Sequence, residues 1–142
     1  MGIVVSFDRV SEAQLAQVRS DPDQHWEVID DGRDRRTEPD GYLDKAWQGL
    51  SDLLESAGTG IDLVLDGDPI DDSEFLFGWS SALVRRTAEK LSDTPFTTLA
   101  AHAEAAAVDE AELGYLRQYY DVLVKFFDSA AVAGSAAIMS MS

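Results

Sequence analysis

Residues 109–133 constrain the fold more than any other stretch of this chain. Leu113, Leu116, Tyr120, Leu123, Val124, Phe127 and Ala131 recur at helical spacing, while Arg117, Gln118, Asp121, Lys125 and Asp128 fill the opposite face. A long helix with one apolar stripe must lay that stripe on another layer. Gly134 is a natural stop, and residues 135–141 read as a final strand. The other end of the chain also alternates, with Ile3, Val5 and Phe7 on one side and Val4, Ser6 and Asp8 on the other. Residues 2–8 and 135–141 are therefore expected to share an antiparallel sheet, since each would otherwise be an exposed edge. The fold class that follows is α+β. A single compact domain, residues 1–142, is expected to pack several helices on a small antiparallel sheet that includes both chain termini.

Between the ends, Ser11 with Gln14 has the spacing of a capping box, and Asp21-Pro22-Asp23 ends the short helix that it starts. Residues 30–41 mix charge with Gly and Pro and read as an exposed loop. A helix is expected from Asp44 to Ser56, with Ala46, Trp47, Leu50, Leu53 and Leu54 inward. Trp47 is expected to be buried against the long helix. Residues 61–65 fit either a strand or an irregular buried segment. Phe75 to Trp79 suggests a short extended segment, serving as core or as the lining of a pocket. A helix capped by Ser80 or Ser81 follows. Thr94-Pro95 then opens another, carrying Phe96, Leu99, Ala103 and Ala106 on one stripe.

The segment Tyr42-Leu43-Asp44-Lys45-Ala46-Trp47-Gln48-Gly49-Leu50 resembles the signature of the YfbM-like family, bacterial proteins built on a domain of unknown function. The likeness extends over the chain, through the Gly67–Pro69 turn, the long helix and the terminal strand. It implies a compact α+β domain and brings no catalytic residues with it. The absence of Asn and the preference for Arg over Lys agree with a bacterial source of GC-rich genome.

Charge narrows the function. The formal net charge is −16, from 27 acidic and 11 basic residues. Such a field repels nucleic-acid phosphate, so no nucleic-acid partner is expected; a basic protein is the macromolecular partner that it favours. The absence of cysteine excludes thiolate metal sites and thiol nucleophiles, and fits a cytoplasmic location. No apolar run has the length of a membrane span, and no signal peptide is expected. Gly2 with Ser6 matches a myristoylation pattern, but the same residues make a first strand.

No motif calls for a cofactor, a metal or a catalytic constellation. His25 is expected to pack beside Trp26, and His102 to lie on a helix surface. The acidic turn Asp66, Asp68, Asp71, Asp72 and Glu74 lacks EF-hand spacing and reads as a solvated loop, and Arg33, Arg35 and Arg36 form the one basic cluster, read as a solvated loop whose arginines pair with neighbouring aspartates rather than as an anion contact. The ligand-site candidates are Asp44, Lys45 and Trp47, though a structural account comes first, with Asp44 at a helix start, Trp47 in the core and Lys45 across its edge. Tyr115 and Tyr119 lie off the centre of the apolar stripe and are the candidates for partner contact. Two functions follow. One is a non-enzymatic protein-binding module with an acidic surface and an aromatic-lined cleft, inhibitor-like in its simplest form. The other is a small-ligand binder or enzyme with a polar site near Asp44 and Lys45. Oligomeric state is not legible from the sequence.

Overall fold

The computed structural model describes residues 3–31, 41–70 and 74–142, and it pairs the strands from the two ends of the chain. β1 (Val5–Val10) and β5 (Ala136–Met141) run antiparallel, from Val5 opposite Met141 to Val10 opposite Ala136. Val4 and Ser142 exchange two further backbone hydrogen bonds. The expected span 2–8 is shifted because Arg9 and Val10 continue the ladder against Ala137 and Ala136. β2 (Gly41–Asp44), β3 (Asp68–Pro69) and β4 (Leu76–Trp79) complete a sheet of order β2-β1-β5-β4-β3, with every neighbouring pair antiparallel. β3 contains Pro69, which is tolerated at a sheet edge because no ladder donor is needed there.

Six helices lie among the described residues: α1 (Glu12–Ser20), α2 (His25–Asp31), α3 (Ala46–Ser56), α4 (Ser81–Ser92), α5 (Phe96–Ala100) and α6 (Leu113–Val132). The alternation of the strands divides them between two faces. Val5, Phe7, Phe77, Trp79, Ala137 and Met139 join the core of α3, α4 and α6. Val10, Leu76, Ala136 and Ile138 join Leu15 and Val18 of α1 and Val28 of α2. The architecture is α+β, one sheet with helices on both sides.

Where the structure departs from the sequence reading, tertiary packing is the cause. Tyr42, Leu43 and Asp44 form the edge strand β2, so α3 starts two residues later than expected. Trp47 is half-buried at the margin of the core, and its Nε1 donates to the Ile3 carbonyl at 2.7 Å. The tryptophan at the centre of the core is Trp79. Residues 61–65 are an irregular turn that buries Ile61 and Leu63. Phe77 and Trp79 are core and Phe75 is exposed. α5 ends at Ala100, and a series of turns carries the alanine-rich stretch to Ala107. Arg33, Arg35, Arg36, Asp71, Asp72 and Gly2 lie outside the described residues.

Candidate functional site

Asp44 stands where β2 ends and α3 is about to begin. β2 pairs with β1 through Ser6 opposite Tyr42 and then Val5 opposite Asp44, so the register shifts and Leu43 is an additional residue. Such irregularities bend an edge strand and re-aim a side chain. Asp44 accommodates the shift with a φ of 52°, the left-handed region that side chains other than Gly enter at a cost. Lys45 then occupies the N-cap of α3, with no side-chain capping bond among the described residues. Asp44 is therefore not the helix cap that its position suggests.

Its carboxylate turns to two phenols instead. The Tyr42 hydroxyl donates to Oδ1 at 3.4 Å, and the Tyr115 hydroxyl donates to Oδ2 at 3.0 Å. Tyr115 lies in the first turn of α6, and its ring meets that of Tyr119, one turn on, edge to face at 5.0 Å. Partial burial raises the Tyr115 pKa, and the bond to Asp44 and the nearby negative charge raise it further. The phenol is thus a neutral donor throughout the physiological range. Trp47 lies at the start of α3 and ties that helix to Ile3 just ahead of β1.

Asp44, with Lys45 next to it, thus meets the partner candidates Tyr115 and Tyr119, distant in the sequence, whereas Trp47 two residues on bonds to Ile3. Tyr42 and Ile3 were not singled out by sequence reasoning. Reading 42–44 as a strand would have found Tyr42, because residues two apart in a strand share a side. Tyr42, Tyr115 and Ile3 are 41%, 40% and 48% exposed. Among the described residues no cation pairs with Asp44, and Lys45 is exposed beside it.

The other candidates have local roles. Asp62 Oδ1 accepts from the Val64 and Leu65 amides, and Asp66 Oδ2 accepts from the Asp62 amide, so these carboxylates hold their own turn. Asp68 lies 3.8 Å from Arg19 in an exposed pair. Among the described residues no three His, Asp or Glu side chains gather as a metal site. His25 contacts the Pro22 carbonyl through Nδ1 and packs on Trp26, as expected. His102 is half-buried in the turns after α5, not on a helix surface. An open cleft of about 670 Å³ lies between the turns after α5 and the start of α6, lined by Ala100, Ala103, Val108 and Leu113 with Glu104 and Glu110.

A family model described as a domain of unknown function, DUF1877, matches residues 1–140. The chain belongs to the DUF1877 family. Neither a curated protein nor a solved structure matches it. Among the described residues, no helix is long and apolar enough to cross a membrane.

Proposed function

We propose that this DUF1877 chain is a non-enzymatic protein-binding module that engages a basic partner, in the manner of an inhibitor, through the patch around Asp44 and Tyr115. The observation that carries this reading is the pair of exposed tyrosines whose hydroxyls are tied to one carboxylate. A tyrosine held in place loses little side-chain entropy on binding, and aromatic anchors dominate interface energetics. Exposed Asp109, Glu110 and Glu112 lie just ahead of Tyr115 and supply an acidic rim. With a net charge of −16, long-range attraction selects a basic surface. A bacterial, cytoplasmic setting and the YfbM-like resemblance complete this reading.

The test is affinity capture from cells of the source with the wild type and with Tyr115→Ala, followed by association kinetics at low and high salt. A basic partner that depends on Tyr115 and associates more slowly as salt rises is expected. A partner indifferent to Tyr115, an acidic partner, or a salt-independent rate would overturn the reading.

One observation favours a second reading, a small-ligand site near Asp44 and Lys45: the left-handed backbone at Asp44 is the kind of outlier that gathers at ligand sites. Binding of a small polar molecule that Asp44→Asn abolishes, with no protein captured, would favour it.

A further inference from the structure

Asp44 brings something that the fold itself does not ask for. Asn or Gly enters the left-handed region at least as readily, and an Asn carbonyl can accept a phenol hydrogen bond. Only a carboxylate adds negative charge. That charge is half-buried, and the two hydroxyl donors at 3.0 and 3.4 Å occupy about half of the roughly four acceptor positions of a carboxylate. Among the described residues nothing cationic neutralises it. Beside it stand Tyr42 and the Tyr115–Tyr119 pair, aromatic rings whose faces carry negative potential, and the Tyr115 phenol oxygen keeps acceptor capacity. An anion finds the Tyr42 and Tyr115 protons already directed at Asp44, and among the described residues beside it only the exposed Lys45 to attract it. A cation meets a carboxylate, a phenol oxygen and aromatic faces together.

We infer that Asp44 is the seat for the cationic tip of one side chain, a lysine ammonium or an arginine guanidinium, of the basic partner, with Tyr42 and Tyr115 flanking it. This rests on the protein-binding reading above and names the group that the patch receives. Trp47 follows Asp44 by two residues and bonds the Ile3 carbonyl, and these two side chains offer the stem of a long basic side chain an apolar surface. Lys45, exposed and next in sequence, disfavours a second cation and limits the seat to one.

The experiment titrates the full chain with Nα-acetyl-lysinamide and Nα-acetyl-argininamide, each carrying one positive charge, and with neutral Nα-acetyl-glutaminamide. Binding is followed through the NMR signals of the Tyr42, Tyr115 and Trp47 side chains and the Asp44 amide. Saturable shifts confined to these residues with either charged probe, and absent with the neutral one, are expected. Asp44→Asn should weaken the charged probe about tenfold or more. Asp52→Asn, which removes the same charge from an exposed position on α3, should leave its affinity unchanged. Shifts spread over the whole acidic surface, or equal weakening by the two variants, would overturn the inference. So would a wild type that the charged probes leave unperturbed at Asp44, a readout that needs no variant to fold. Partner capture that needs Tyr115, with no probe binding at Asp44, would remove the cation seat and leave the protein-binding reading in place. Probe binding at Asp44, with no partner dependent on Tyr115, would do the reverse.

Discussion

Trp79 occupies the centre of the core, edge to face on Phe7 at 5.2 Å and tilted on Phe127 at 5.4 Å. Among the described residues its Nε1 has no hydrogen-bond partner, and it lies against Gly67, where a Cβ would run into the indole. Gly67 is required there for close approach, and the turn before Pro69 is built around it. Gly67→Ala is expected to cost about 1–3 kcal/mol, as overpacking does, read from urea unfolding midpoints. Trp79→Ala should reach about 3–5 kcal/mol, and half-buried Trp47→Ala should fall clearly below that. A thermal melt in which Trp47→Ala matches Trp79→Ala would contradict this ranking. Tyr120 gives a pH signature. Its hydroxyl donates to the Thr94 carbonyl at 2.5 Å, and burial pushes its pKa up to about 12. An unfolded tyrosine ionises near pH 10. The folded state holds this proton more tightly, so the stabilisation is full below about pH 10 and is lost as pH rises toward about 12. Tyr120→Phe should lower stability by about 1 kcal/mol at pH 7 and flatten this alkaline loss, measured as unfolding midpoints from pH 7 to 11.

At the scale of elements, α1 and α4 are joined through their N-termini. Ser11 and Gln14 complete the capping box of α1 with bonds of 3.0 and 2.8 Å. In the first turn of the same helix, Glu12 accepts the Ser81 amide at 2.6 Å, and Ser80 accepts that of Leu83. One helix thus helps to cap another. The bonds from Ser81 hold the Glu12 pKa below the usual carboxylate range. Its folded pKa is depressed, so this contribution is present above the unfolded value and is lost as pH falls through the folded one. Glu12→Ala should cost about 1 kcal/mol at pH 7. The difference from wild type should shrink in acid, and a cost that stays constant from pH 7 to 3 would show that the carboxylate is not the source. α5 behaves differently. Alanine has the highest helix propensity, yet the helix stops at Ala100 and the chain turns until Ala107, at a φ of 57°. The Val108 amide bonds back to the Ala103 carbonyl, and Leu99 and Val108 are both buried by the turn. Ala107→Gly should stabilise by about 0.5–1 kcal/mol, seen as a higher melting temperature.

The molecule as a whole carries a net charge of −16 on 142 residues, which favours solubility and disfavours compactness through self-repulsion. Raising salt from about 10 to about 150 mM shortens the Debye length from roughly 30 to 8 Å, so the melting temperature should rise by a few degrees. A melting temperature that falls with salt would mean that attractive ion pairs outweigh the repulsion. Duplex DNA should not bind at physiological salt, as checked by fluorescence anisotropy of a labelled duplex.

Periodicity alone determined the elements that bury one continuous face. These were the alternating strands at both ends, the apolar stripe of α6, the inward face of α4 and the capped start of α1, because each pattern is set by residues close in sequence. Competition between distant segments decided the rest. Tyr42-Leu43-Asp44 carries the look of a helix start but pairs with Ser6 and Val5, because edge pairing satisfies more backbone than an earlier cap would. The same pairing moved Trp47 to the rim of the core and left its centre to Trp79. Individual residues of the candidate site were legible as an acid at a turn and as tyrosines off an apolar stripe. Their meeting was not, since Asp44 and Tyr115 are brought together only by the shifted register of β2 and the packing of α6 beside it.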